Sequence, residues 1–169
     1  MVRLETTRLI LEELNATDGA FMHELLNTDS WKKYIGNRNI HTAEEGSNYI
    51  TNRIAPSYQT NGFGFYKVRL KENNLPIGIC GLVKRDGLED IDIGFAYLPK
   101  YEGKGYGSES SVAIMKFAKN KLNVKTLLAI TVSYNLKSIT LLEKLGLKFE
   151  KTIRLPNDPE ELMLFVIQL

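Results

Sequence analysis

Residues 91–108, in the second half of the chain, read IDIGFAYLPKYEGKGYGS and carry the clearest structural pattern in the sequence. It predicts a strand that ends at Pro99, then a glycine-rich turn, and then a helix. Glycines alternate at Gly103, Gly105 and Gly107, so successive main-chain N–H groups can turn to one side of the turn. The start of a helix adds a partial positive charge at the same place. The stretch therefore predicts a site for an anion, of the kind that holds a phosphate.

Two common phosphate-binding loops do not fit this spacing. The nucleotide loop requires Ser or Thr directly after its Gly-Lys pair, but Gly105 follows Lys104. The dinucleotide loop requires a third glycine at position 108, where the chain has Ser108, and it belongs to a parallel βαβ unit. The remaining alternative is that the three glycines only shape a connection, although a turn needs fewer of them.

Outward from this stretch, the apolar pattern and the turn residues divide the chain into short strands and helices. Strands are expected at residues 8–14, 63–70, 76–85, 90–98, 126–132, 147–154 and 162–169. Helices are expected from near Thr17, at 42–57, at 108–122 and at 136–145. The fold class is α/β: one domain over residues 1–169, with a mixed, mostly antiparallel sheet of six to seven strands. The βαβ crossover at 90–132 predicts one parallel pair, and helices should cover both faces.

Composition narrows the classes of function. The 169 residues include 22 Lys and Arg and 20 Asp and Glu, spread along the chain, which argues against a direct nucleic-acid partner. Cys80 is the single cysteine, so a disulfide within the chain and a cysteine metal cluster are both excluded. We expect no metal, no membrane segment and no export signal, and therefore a cytoplasmic protein.

Three segments carry a resemblance to a known family: residues 4–11 (LETTRLIL), residues 93–109 around the glycines, and residues 135–147 (NLKSITLLEKLGL). Together they resemble the GNAT superfamily of N-acetyltransferases, and within it the branch of the ribosomal-protein N-terminal acetyltransferases. The resemblance implies the GNAT fold, in which two neighbouring strands splay apart, here at a bulge expected near Gly94. It implies acetyl-CoA as co-substrate and direct transfer of its acetyl group to a primary amine, of a protein N-terminus or a small molecule. A homodimer is possible in this family. The alternative is a non-catalytic acyl-CoA-binding regulatory module.

The resemblance also implies roles for particular residues. Main-chain N–H groups of the loop would hold the pyrophosphate, the strand before it would lie beside the pantetheine arm, and an N–H near Ala96 would polarise the thioester. The expected cofactor-binding residues are Ala96, Tyr97, Leu98, Gly103, Lys104, Gly105, Tyr106, Gly107, Ser108 and Asn135. The expected catalytic residues are Asp92, as the base, and Ser138, as a hydrogen-bond donor to the sulfur. Asp92 could instead be a solvated strand residue, and Asn135 and Ser138 could simply cap a helix.

Two positions depart from the family pattern. Glu102 stands at the head of the loop where many members have Gln or Arg, and Lys104 is expected to offset its charge. Leu142 stands where many members have the tyrosine that protonates the leaving thiolate. Trp31 and Tyr34 are expected either to line the acceptor pocket or to be core aromatics.

Overall fold

The computed structural model describes all residues, 1–169, and contains one sheet of eight strands in the order β1-β2-β3-β4-β5-β6-β8-β7. All neighbouring strands are antiparallel except β5 and β6. The strands are β1 (Arg3–Glu5), β2 (Leu9–Glu13), β3 (Phe65–Leu70), β4 (Pro76–Val83), β5 (Asp92–Tyr97), β6 (Thr126–Thr131), β7 (Lys148–Ile153) and β8 (Leu162–Gln168). The mixed, mostly antiparallel α/β fold expected from the sequence is confirmed.

The helices begin and end at local signals in the sequence. They are α1 (Gly19–Leu26), α2 (Asp29–Tyr34), α3 (Ala43–Tyr49), α4 (Ala55–Asn61), α5 (Tyr106–Leu122) and α6 (Leu136–Lys144). The Thr42 hydroxyl accepts the Glu45 N–H at 3.1 Å at the start of α3, as the capping pattern predicts. After α6, Gly146 takes the left-handed conformation, with φ of 93°.

The core consists of two main layers, one on each face of the sheet. One layer buries Tyr66, Val68 and Cys80 of the sheet against Ile114 and Ala118 of α5. The other layer, which we call the α1 layer, packs residues of α1, α2 and the α3–α4 connection against β4 and the end of β5: Phe21, Met22, Leu25, Leu26, Trp31, Ile50, Ile54, Ile79 and Leu98. The helices therefore hold both faces of β5, the strand that leads into the glycine loop.

Four details differ from the sequence expectations. The sheet has eight strands rather than six or seven, because β1 pairs with β2 at the chain start. Asn15, rather than Thr17, caps the first helical turn, since its side chain accepts the Thr17 N–H at 2.9 Å. The helix expected to end near residue 57 continues to Asn61, through a π-helical turn at Ile50–Ile54.

No helix in the fold has the length and apolar character needed to cross a membrane.

The fourth detail concerns Gly94. The expected bulge there is absent from the pairing of β4 with β5, which runs in unbroken register from Gly78↔Tyr97 to Val83↔Asp92. The phenyl ring of Phe65 lies 3.0 Å from where a Cβ on Gly94 would stand, so close packing explains this glycine. The strands splay because β6 diverges from β5, which it meets at the single pair Asp92↔Leu128.

Candidate functional site

The glycine loop has the strand–turn–helix geometry that the sequence predicts. Gly103 and Gly105 have φ of 71° and 83°, in the left-handed region that favours glycine, and α5 begins directly afterwards at Tyr106. A Cβ on Gly103 would meet nothing within 4 Å. The first hydrogen bond of α5 is Glu109 N–H to the Gly105 carbonyl at 3.0 Å. The N–H groups of the preceding residues in that turn therefore have no partner within the helix, and they can bind an anion.

A partly buried hydrogen bond connects the two ends of this loop. The Tyr97 hydroxyl at the end of β5 bonds to the Ser110 hydroxyl in α5, which also donates to the Tyr106 carbonyl at 2.9 Å. Burial raises the pKa of the Tyr97 hydroxyl well above its ordinary value, so Tyr97 stays neutral. A Cβ on Gly107 would lie 3.0 Å from the Leu141 side chain of α6. The loop is thus fixed to the strand below it, and α5 packs closely on α6.

The outer edge of β5 is open beyond its first residues. The Leu98 N–H donates to Ile77 on β4 at 2.8 Å, whereas the Ile91 carbonyl accepts from Leu128 on the β6 side at 2.9 Å. Main-chain groups alternate along a strand, so those of Phe95 and Tyr97 point towards β6, which has already diverged there. Their N–H and C=O groups form an unpaired edge that leads to the glycine loop.

This alternation changes one expectation. The Ala96 N–H points towards β4, with which Ala96 is paired through Ile79. A main-chain N–H that polarises a carbonyl in the splay must therefore come from Phe95 or Tyr97. Phe95 was not identified from the sequence, because the register of a strand against its neighbours is not visible in one chain.

Asn135 and Ser138 lie at the start of α6, across the splay from β5. The Asn135 side chain accepts the Ser138 N–H at 3.3 Å and so caps the helix. The half-buried Ser138 hydroxyl makes no hydrogen bond within the protein. The capping role is thus carried by the Asn135 side chain and the Ser138 main chain, which leaves the Ser138 hydroxyl available to a ligand.

The two departures from the family pattern have structural counterparts. Glu102 pairs with Lys137 of α6, with Nζ and Oε2 2.8 Å apart, so Lys137 rather than Lys104 offsets its charge. The hydrogen bond to Glu102 raises the pKa of Lys137. Leu142 is 1 % exposed and belongs to the core below α5, where its side chain contributes packing. The sequence position of the family tyrosine therefore carries no proton donor.

Asp92 lies at the closed end of the splay, beside Leu128, and its side chain is buried. Both of its carboxylate oxygens accept a hydrogen bond from Arg85 Nε at 3.0 Å. Burial raises the pKa of the Asp92 carboxyl, and Arg85 opposes the shift without cancelling it. The solvated-strand alternative for Asp92 is wrong, because the carboxyl is enclosed and held by one arginine.

Trp31 and Tyr34, which were expected either to line the acceptor pocket or to be core aromatics, have different surroundings in the structure. Trp31 is buried in the α1 layer, and its indole N–H has no hydrogen-bond partner. Tyr34 is half-buried and packs against Tyr134, which precedes α6, with ring centroids 5.9 Å apart. The Tyr134 hydroxyl bonds to Glu160 in the β7–β8 connection at 3.3 Å. Tyr34, Tyr134 and Glu160 bring together three separate segments of the chain beside the start of α6.

One further group beside the loop had no role in the sequence interpretation. Glu109, in the first turn of α5, accepts hydrogen bonds from the Thr6 hydroxyl at 2.6 Å and from Arg8. Thr6 and Arg8 belong to the opening segment that resembles the family. That resemblance was the only sequence signal for them, since more than a hundred residues separate them from Glu109.

Comparison with known families agrees with this geometry. A family model described as "Acetyltransferase (GNAT) domain" matches residues 8–148. The match covers most of the chain, so the protein belongs to the GNAT acetyltransferase family and is an acetyltransferase. The family expected from the sequence is confirmed.

Individual relatives are distant in sequence and close in fold. The chain is 24% identical over 149 residues to the uncharacterized N-acetyltransferase YnaD of Bacillus subtilis. This alignment covers 88% of this chain and 84% of YnaD. An acetyltransferase structure from Agrobacterium tumefaciens superposes with a TM-score of 0.83 at 22% identity, over 100% of this chain and 95% of that one. The structure of RimL, a ribosomal L7/L12 alpha-N-protein acetyltransferase in complex with coenzyme A, superposes with a TM-score of 0.84 at 14% identity. The superposition covers 99% of this chain and 98% of RimL. These structures share the fold of this chain.

Proposed function

We propose that this acetyltransferase moves the acetyl group of acetyl-CoA directly to a primary amine, of a protein N-terminus or of a small molecule. The observation that supports this most is the open edge of β5 beside Phe95 and Tyr97, which continues into the glycine loop. An extended chain with amide groups can hydrogen-bond such an edge as an added strand would. A phosphate at the end of that chain then meets the first turn of α5.

The residues along this path fit acetyl-CoA. Gly103 to Ser108 would hold the pyrophosphate with main-chain N–H groups, and the edge at Phe95 and Tyr97 would hold the pantetheine amides. When bound, acetyl-CoA supplies an activated acetyl thioester. The Ser138 hydroxyl, which has no partner in the protein, would donate a hydrogen bond to the sulfur, and Asn135 would hold α6 in place for it.

Direct transfer needs the amine in its neutral form, with its lone pair free. The new C–N bond forms as the C–S bond breaks, the amine loses a proton, and the thiolate leaves and takes up a proton from water. We assign proton removal to Asp92, acting through water, because a carboxyl whose pKa is raised by burial accepts a proton closer to neutral pH. A main-chain N–H of Phe95 or Tyr97 would polarise the carbonyl.

The acceptor would enter beside Tyr34 and Tyr134. These two rings stand where α2 and the start of α6 meet, on the side of α6 that faces the β7–β8 connection. Their exposed aromatic surface can contact the apolar part of an amine substrate, and Glu160 can attract its positive charge.

The test is transfer to a panel of peptides and small amines, with free thiol and the acetylated product both measured. Transfer to at least one acceptor is expected. If acetyl-CoA binds in calorimetry but no acceptor is acetylated, the non-catalytic binding module is the correct interpretation.

A matched pair of variants ties the activity to the loop. Gly105→Ala and Gly62→Ala both place a side chain at a left-handed glycine, with φ of 83° and 76°, but Gly62 ends α4 away from the loop. Each should lose about 1 kcal/mol of stability. Only Gly105→Ala should raise the KM for acetyl-CoA, by about tenfold. An equal change of KM in both variants would refute the assignment of the loop to the pyrophosphate.

A further inference from the structure

The side chain of Arg8, in the turn between β1 and β2, connects that turn to α5. Arg8 Nε donates to Glu109 Oε2 at 2.7 Å, and the Arg8 main-chain N–H donates to Glu109 Oε1 at 2.8 Å. The Thr6 hydroxyl adds a third hydrogen bond to the same carboxylate at 2.6 Å. Burial raises the pKa of Glu109, yet the hydrogen bonds from Thr6 and Arg8 outweigh it and hold the pKa below its ordinary value. Glu109 is therefore ionised at neutral pH and keeps the guanidinium in place.

The other side of the guanidinium lies on the glycine loop. Arg8 Nη1 donates to the Lys104 carbonyl at 3.0 Å, and the guanidinium carbon stands 4.4 Å from the centre of the Tyr106 ring. Arg8 Nη2 lies 3.3 Å from where a Cβ on Gly105 would be. One side chain therefore contacts Lys104 and Tyr106 and occupies the space beside Gly105, which lies between them.

The bond to the Lys104 carbonyl has a consequence for the neighbouring N–H. A trans peptide is planar, so its C=O and its N–H point in opposite directions. Because Arg8 holds the Lys104 carbonyl, the Gly105 N–H points away from the β1–β2 turn. Without that bond the Lys104–Gly105 peptide could rotate, since glycine allows conformations on both sides of φ.

We propose that Arg8 is a positioning residue for the co-substrate: it fixes the Lys104–Gly105 peptide so that the Gly105 N–H faces the pyrophosphate. This inference rests on the proposed function, because it assigns the loop to acetyl-CoA. A surface ion pair alone would contribute little. Arg8 differs from such a pair because its planar fork binds a carboxylate and a carbonyl at once, which a lysine cannot do.

The experiment compares two acetyl donors, acetyl-CoA and S-acetylpantetheine, which lacks the pyrophosphate. Arg8→Ala should lower kcat/KM with acetyl-CoA about tenfold, through KM, and change kcat/KM with S-acetylpantetheine by less than about twofold. Arg8→Lys should behave like Arg8→Ala. The control is Arg3→Ala, which removes another arginine of the same hairpin that bonds to a glutamate, Glu5, and whose side chain is about as exposed as that of Arg8, 53% against 45%. It should leave both donors unaffected.

Each outcome decides the inference. An equal loss with both donors, or full activity of Arg8→Lys, would overturn it, because the effect would then come from general damage or from charge alone. If Arg8→Ala does not fold, Glu109→Gln replaces it and should lower kcat/KM with acetyl-CoA alone, by about threefold. Failure of the unmodified protein to bind CoA in calorimetry would overturn the proposed function itself. If the unmodified protein binds CoA and Arg8→Ala binds it equally well, only the role of Arg8 is overturned.

Discussion

The hydrogen bond between Tyr97 and Ser110 allows a quantitative test of how the glycine loop is held. In Tyr97→Phe, the Ser110 hydroxyl keeps its bonds to the Tyr106 and Gly107 carbonyls, at 2.9 Å and 3.2 Å. The change therefore removes one hydrogen bond and should cost about 1 kcal/mol of stability. Ser110→Ala leaves the buried Tyr97 hydroxyl without its partner and should cost about 2 kcal/mol, because a buried unpaired polar group is more expensive than a lost bond.

The double variant should cost less than the sum of the two single variants. Once the Tyr97 hydroxyl is gone, Ser110→Ala no longer leaves that hydroxyl unpaired. The double variant should therefore lose about 2 kcal/mol of stability rather than about 3 kcal/mol. The coupling free energy is then about 1 kcal/mol. In a chain of 169 residues, each kcal/mol should correspond to a Tm decrease of about 2–4 °C.

Urea unfolding of the four proteins measures these free energies, and calorimetric titration with acetyl-CoA measures the effect on the loop. Because the bond joins the strand before the loop to the helix after it, each single variant should also weaken acetyl-CoA binding, by about threefold. Strict additivity of the two stability losses would refute the argument. So would stability losses of the expected size without any change in acetyl-CoA affinity.

Three further predictions concern the catalytic side of the site. Asp92→Asn should lower kcat by about a hundredfold or more if Asp92 removes the proton. The pKa of Asp92 is raised in the folded protein. Between the ordinary Asp pKa and this raised value, the folded state therefore binds more protons than the unfolded state. The stability of the wild type falls as the pH rises through this range. The stability of Asp92→Asn relative to wild type, from urea unfolding, should thus be higher at pH 7 than at pH 4, and an equal difference at both would contradict this. Ser138→Ala should lower kcat about ten- to hundredfold while Tm stays unchanged, because the hydroxyl makes no bond in the protein; a Tm loss without a kcat loss would indicate a structural role. Leu142→Tyr should cost about 1–3 kcal/mol in urea unfolding through overpacking and bring no gain in kcat, and a gain would show that the tyrosine can reach the site.

Local signals in the sequence predicted most of the fold. The capping pattern at Thr42, the turn residues between β3, β4 and β5, and Gly146 after α6 each act within a few residues. The missed elements form because of the elements they pair with or pack against, and their own residues carry little signal. Strand β1 has three residues and forms only because β2 lies beside it, and the turn at Ile50–Ile54 packs its two isoleucines onto the sheet. Tertiary contacts of this kind leave no local pattern.

The site was predictable to a similar extent. The strand–turn–helix context of the glycines indicated an anion site, because the glycines themselves allow the backbone conformation that this site needs. The pairings of Glu102 with Lys137 and of Arg8 with Glu109 join residues far apart in the chain, so a single sequence could not show them. The direction of the Phe95 N–H depends on strand register, which is a property of the assembled sheet.

The splay between β5 and β6 also has a consequence for the behaviour of the protein without its co-substrate. The sheet consists of a five-stranded half and a three-stranded half, which meet in the ladder only at Asp92↔Leu128. The amides of Phe95 and Tyr97 should therefore exchange with solvent faster than those on the β4 side of the same strand, because no partner strand protects them. A ligand that bridges the two halves should slow this exchange and raise Tm together, since it binds only the folded state. If acetyl-CoA binds along this edge as proposed, it would complete the hydrogen bonding of the sheet, and the protein would be most rigid in its complex with acetyl-CoA.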